Sequence, residues 1–163
     1  MTFNPQTFLG QTVNAPMATS VTPAPEGEWT AIISAKIPLV EWFGEAEWKD
    51  KQTGQQKSQP TAKIPVEIVD ERAKELVKRN TLMVTYDLFL DLLPNGHLDT
   101  GEDKNVRLGA LREALGQNQD PNWTWERLFG AGPFVAKVVH QRDKTGNRPD
   151  EIFAKISRVT RIR

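Results

Sequence analysis

From residue 29 onward the chain is built from blocks of alternating apolar and polar positions. Trp29, Ala31, Ile33, Ala35 and Ile37 alternate with Thr30, Ser34 and Lys36, the period of two expected of a half-buried strand. Ile32 interrupts the polar side, and Pro38 ends or bends the strand. Ala62 to Val69 repeats the pattern, with Ile64, Val66 and Ile68 on one face and Lys63 and Glu67 on the other; Pro65 suits an edge strand. Thr81 to Leu93 is a longer strand, in which Leu82, Val84, Tyr86, Leu88, Leu90 and Leu92 alternate with Thr85, Asp87 and Asp91. Two further strands are expected, Phe134 to His140 and Ile152 to Ile162, joined by a hairpin turn over Asp143 to Pro149 that contains Gly146-Asn147.

Helical spacing replaces alternation in three places. Asp70 is a suitable N-cap for a short helix, since its carboxylate can accept from the free N–H groups of the first turn; Lys78 and Arg79 suit the far end and Asn80 can stop it. Asn105 to Leu115 places Val106, Leu108, Leu111, Ala114 and Leu115 on one stripe, with Gly116 as the stop. A short helix opened by Pro121 holds Trp123, Trp125, Leu128 and Phe129. Glu41 to Pro60 reads instead as a hairpin finger, with its turn at Lys51-Gln52-Thr53-Gly54. The expected class is mostly β with added helices. Strand, strand, strand, helix, strand, strand is the order of an OB-fold-like five-stranded Greek-key barrel, with a β-sandwich or another small barrel as the alternatives.

Ahead of these blocks lies a different kind of sequence. Met1 to Pro25 carries no charged residue and only Phe3, Phe8 and Leu9 as large apolar anchors. It reads as an extended arm, residues 1–25, that either stays mobile or docks on a neighbouring copy, followed by one domain over residues 26–163. The 163 residues are 38% hydrophobic and 26% charged, enough for a real core and too apolar for overall disorder. Net charge is zero, but its distribution is not even: Asp87 to Asp103 holds five acids and no base, while Pro133 to Arg163 holds eight bases against three acids. There is no cysteine, and no apolar run nears the roughly 20 residues that cross a bilayer. The expectation is a cytoplasmic protein without a membrane partner.

Catalytic chemistry finds little support. His97 and His140 are the only histidines and stand in no metal-ligand spacing. The acidic loop HLDTGEDKN lacks the alternation and terminal Glu of a calcium loop, and Gly130-Ala131-Gly132 precedes a strand rather than a phosphate-binding helix. No enzyme activity, metal or cofactor is expected. Binding chemistry does better, because single-stranded nucleic acid needs cations along the phosphates and flat side chains for the bases. The finger supplies Trp42, Phe43 and Trp48 beside Lys49, Lys51 and Lys57; the last hairpin supplies Lys137, Arg142, Phe153 and Lys155. Trp29 belongs to an apolar strand face, and at least one of Trp123 and Trp125 is a packing anchor. Trp42 and Trp48 have no apolar stripe to join.

From Val106 to Ile162 the sequence NVRLGALREALG, the stretch LFGAGPF and the hairpin VAKVVHQRDKTGNRPDEIFAKISRV resemble the second half of small phage-encoded single-stranded DNA-binding proteins with an OB-fold. The resemblance covers about a third of the chain. It implies Lys137, His140 and Arg142 on the fourth strand, and Phe153 and Lys155 on the fifth, near bound DNA. It also implies a phage replication or recombination role in the host cytoplasm. The chain departs from many such proteins in ending on Arg158 to Arg163 rather than on an acidic tail. The expected ligand is single-stranded DNA bound without sequence preference. Trp42, Trp48 and Phe153 stack bases, and Lys49, Lys51, Lys63, Lys137, Arg142 and Lys155 neutralise phosphates. The rival readings are a self-assembling structural protein that uses the arm and the finger to grip copies of itself, and a metal-dependent nuclease on the acidic loop.

Overall fold

A computed structural model describes residues 2–18, 21–142 and 151–162. The expected turn over Asp143 to Pro149 lies outside the described residues. Six antiparallel strands form one sheet: β1 (Gly27–Ile33), β2 (Phe43–Lys49), β3 (Gln56–Ile68), β4 (Leu82–Phe89), β5 (Phe134–Arg142) and β6 (Ile152–Thr160). Three short α-helices accompany them, α1 (Pro5–Leu9), α2 (Glu71–Val77) and α3 (Val106–Ala114), with 3-10 turns at Leu39–Trp42 and Trp125–Leu128.

The alternation in the sequence becomes the two faces of this sheet. Ala31 and Ile33, Ile64, Val66 and Ile68, Leu82, Val84 and Tyr86, Phe134, Ala136 and Val138 are all buried on the inner face. Leu108 and Leu111 of α3 and Leu128 of the second 3-10 turn cover them. Gly27, at φ 147°, lets the chain enter β1 beneath its own Trp29, whose ring a Cβ at Gly27 would meet at 2.6 Å.

Where five strands were expected there are six, because the finger is itself strand. β2 pairs with β3 from Phe43↔Ala62 out to Lys49↔Gln56, so β3 begins six residues earlier than its apolar pattern shows. Beyond that overlap β3 changes partner: Ile33↔Val66 to Ala31↔Ile68 join it to β1, while its other edge carries β4 from Thr61↔Phe89 to Ile68↔Leu82. Pro65 therefore sits in a central strand and not at an edge. Its carbonyl accepts from the Ser34 N–H at 2.9 Å, just past the end of the β1 ladder. The N–H that proline lacks would face the gap between β1 and β2, where no ladder needs it.

The remaining strands run β3–β1–β5–β6, with β5 pairing Val135↔Thr160 to Arg142↔Ile152 and a bulge between Lys137 and Val138. This leaves β4 and β6 at the two ends of the path, yet side by side in space. Arg107, in the first turn of α3, bridges them. Its guanidinium donates to the Asp87 carbonyl of β4 at 3.2 Å and to the Ser157 and Ile156 carbonyls of β6 at 3.3 and 3.0 Å. It also lies 4.4 Å above the Tyr86 ring, whose hydroxyl donates to the Arg107 carbonyl at 2.8 Å. Burial raises the Tyr86 pKa, against a smaller lowering from Arg107, so the phenol keeps the proton that this bond requires.

Local signals account for most element ends. The Asp70 carboxylate caps α2 through the Arg72 N–H at 3.0 Å and also receives the Thr30 N–H of β1 at 3.2 Å and the Arg72 guanidinium at 2.8 and 3.1 Å. Lys78, at φ 54°, ends that helix two residues before Asn80. In the arm, Asn4 caps α1, Pro5 opens it, and the Phe3 and Phe8 rings meet at 5.2 Å, a hydrophobic staple around one turn. No residue of α1 is buried. Residues 22–25 are tied to the body, since the Thr22 carbonyl accepts from Arg79 at 3.0 Å and the Pro25 carbonyl from Trp29 Nε1 at 2.7 Å.

Candidate nucleic-acid interface

Strand side chains alternate between faces, so the cross-strand registers decide which candidate residues can act together. On the finger, Gly44, Ala46 and Trp48 share a face with their partners Thr61, Gln59 and Lys57. That face continues along β3 to Lys63, opposite Asp87 of β4, while Phe89 stands opposite Thr61. Across the Arg107 seam, Phe153 and Lys155 occupy the outward positions of β6, opposite Gln141 and Val139 of β5. Trp48, Phe89 and Phe153 are 42%, 61% and 43% exposed. The outer face of the sheet thus carries three accessible aromatic rings, interspersed with Lys57, Lys63 and Lys155.

The centre of this face is an open groove of about 630 Å³. Phe89, Lys63, Lys155 and Arg107 line it together with Thr61 and Val106, and Asp87, Asp91 and Asp103 also reach it. It is a mixed surface and not a cationic trough. Two of the charges are already occupied: Arg107 by the carbonyls of the seam, and Asp91 by Gln59 and by the Asn105 N–H at 3.0 Å. Near the finger tip Lys57 meets Asp50 at 3.0 Å. The Gln52 N–H, followed by Lys57, lowers the Asp50 carboxyl from its ordinary value.

No family model, curated protein or solved structure matches the chain. Function has to be argued from the face itself.

Of the residues expected to hold DNA, the sheet gathers Trp48, Lys63, Phe153 and Lys155 on the outer face, with Lys137 on the same face of β5 beside Arg158. The others are placed elsewhere. Trp42 is only 2% exposed: it closes the 3-10 turn, donates through Nε1 to the Ile37 carbonyl at 3.1 Å and packs edge-on against Phe129 at 5.3 Å. It is a core residue and cannot stack a base. Lys49 alternates with Trp48 and so faces the other side of the finger with Glu45 and Glu47, and Lys51 lies in the turn beyond the ladder. His140 holds the chain's own N-terminal segment, its Nε2–H donating to the Ala24 carbonyl at 2.8 Å and its backbone N–H to Glu26 at 3.0 Å. Arg142 has the parity of the inner face, at the end of β5.

Phe89 was missed, though a signal for it was present. In a strand whose even positions from Leu82 to Leu88 are buried, an aromatic at an odd position must point to solvent. Lys57 was legible as a candidate cation of the finger and Asp87 as a polar position of its strand, but their common face and the Arg107 seam follow only from the pairing register.

Proposed function

We propose that the outer face of β2, β3, β4 and β6 binds single-stranded DNA, with Trp48, Phe89 and Phe153 stacking bases and Lys57, Lys63 and Lys155 meeting phosphates. One observation carries this reading: aromatic rings and lysines, all exposed, alternate on a single face of one sheet. Lys57 and Lys63 are six residues apart on β3, about 20 Å along the strand, enough to follow several nucleotides. Every base has a π-face, so a surface of this kind tolerates sequence.

The architecture we propose is an OB-fold-like Greek-key barrel. The end strands of the path β4–β3–β1–β5–β6 meet at the Arg107 seam, and α3 lies between β4 and β5 in the chain, an arrangement consistent with that fold. The finger is then an enlarged loop between the first two barrel strands, a place where such barrels grip oligonucleotides. The role that fits is a phage-type coat for single strands in replication or recombination.

Titration of a labelled oligonucleotide at low and high salt tests the reading, with unlabelled duplex as competitor. Binding is expected to weaken with salt, at a slope of about −0.7 per phosphate contact, and to survive excess duplex. Displacement by duplex as readily as by single strand would sink the stacking argument. Self-association through the arm is a second reading, favoured by the exposed Phe3, Phe8 and Leu9 around a preformed α1; it expects a defined oligomer in sedimentation and indifference to DNA.

A further inference from the structure

The groove contains a carboxylate that phosphate binding does not use. Asp87 stands directly opposite Lys63 in the β3–β4 register and two residues before Phe89 on the same face. Its backbone carbonyl is taken by Arg107. Its carboxylate has no hydrogen bond or ion pair among the described residues, and Lys63 likewise has none. The two opposite charges therefore sit on adjacent strands, where directly paired Cβ atoms are about 5 Å apart, without closing on each other.

A carboxylate repels phosphate and can only accept hydrogen bonds. A strand whose backbone follows Lys155 must consequently present a base to Asp87. With that base stacked on Phe89, about 7 Å along β4, its Watson–Crick edge lies over Asp87 and Lys63. The three groups complement one edge best. Guanine offers an oxygen for the Lys63 ammonium and two neighbouring N–H donors for the two Asp87 oxygens. Cytosine and adenine each offer an amino group to one carboxylate oxygen. Thymine offers a single ring N–H flanked by two carbonyl oxygens, one of which faces the carboxylate.

We infer that Lys63, Asp87, Phe89 and Lys155 form a nucleotide subsite that favours guanine and disfavours thymine within otherwise sequence-tolerant binding. The inference rests on the single-strand reading and refines it at one position of the bound strand.

The test uses the full chain and labelled twelve-nucleotide oligothymidylates, either unmodified or with one internal thymine replaced by guanine, cytosine or adenine. A single guanine avoids self-association of the probe. The guanine probe is expected to bind about tenfold more tightly than oligothymidylate, the low end of what a bidentate base contact supplies, with cytosine and adenine between. Asp87→Asn is expected to abolish most of that gap by bringing the guanine probe down toward the oligothymidylate level; Asp87→Ser serves if the first variant does not fold. Equal affinity for all four probes overturns the subsite and leaves the single-strand reading standing. So does a guanine preference that survives both substitutions. Failure of every probe to bind overturns the single-strand reading, and the subsite with it.

Discussion

The root and the tip of the finger contain the same residue types and obey different physics. At the root, Trp42 is buried against Phe129, and Phe43 meets the Trp125 ring edge-on at 4.9 Å, so the hairpin leaves the body from an aromatic cluster. Six residues on, Trp48 is in the same hairpin with no ring partner among the described residues and about 42% of its surface in water. The tip is held by the β2–β3 ladder and by contacts such as Lys57 with Asp50. The root contributes stability, whereas the tip leaves its aromatic surface free for a ligand. Residue type alone does not separate the two; the distance from the 3-10 turn does.

The largest expected effect breaks the root. Trp42→Ala removes a fully buried indole and strands the Ile37 carbonyl, which should cost about 3–5 kcal/mol and lower the thermal midpoint by roughly 10 °C or more. Calorimetry or a circular-dichroism melt reads this directly. The matching change at the tip, Trp48→Ala, should leave the melt within about 0.5 kcal/mol of the parent. It should weaken oligonucleotide binding by about 1–3 kcal/mol at every salt concentration. If Trp48→Ala melts the protein and Trp42→Ala does not, root and tip have been exchanged.

The body offers a smaller effect with a defined pH signature. Hydrogen bonds from Arg72, outweighing desolvation and joined by the Thr30 N–H, lower the Asp70 pKa from 3.8 to about 2. A carboxyl with a depressed folded pKa contributes stability above its unfolded pKa and loses it as the pH falls toward the folded one. Stability should therefore decline between about pH 4 and pH 2, by an amount on the order of 1–2 kcal/mol, and Asp70→Asn should flatten that part of the profile in denaturant titrations. The smallest effect sharpens the comparison between the outer face of the sheet and the far side of the finger. Lys155→Ala should reduce affinity mainly at low salt and flatten the salt slope by up to about 0.7, while Lys49→Ala, on the opposite face from Trp48, should change neither. An equal loss from both lysines would show that the ligand wraps the finger.

The alternation read over Trp29 to Ile37, Ala62 to Val69 and Thr81 to Leu93 was enough to find the strands that face the core, because burial writes its period into the side chains, although β1 ends at Ile33 and β4 at Phe89. The finger was legible as a hairpin with its turn at residues 51–54, but the regular ladder of β2 on the outer part of β3, and the unbroken run of β3 into the body, were not. Both of their faces meet water, so no apolar period is imposed on them. Trp42 was misread for a related reason: a four-residue 3-10 turn is too short to show a stripe, and its one buried side chain looks isolated in the sequence. Trp48, Lys63, Phe153 and Lys155 were legible as types, since exposed aromatics beside lysines suggest a ligand. Their common face, and the exclusion of Lys49 and His140 from it, followed from registers and from a contact 116 residues away along the chain.

The Arg107 seam also bears on how the molecule avoids its own kind. End strands such as β4 and β6 display unpaired carbonyls that invite a strand from another molecule, the usual first step of edge-to-edge aggregation. Here one guanidinium, carried by the first turn of α3, occupies carbonyls on both strands. A planar group with five donors thus serves as a plug against intermolecular sheet growth as well as a clasp. Lysine at this position would keep the charge without the fork and would leave at least one of the two edges open.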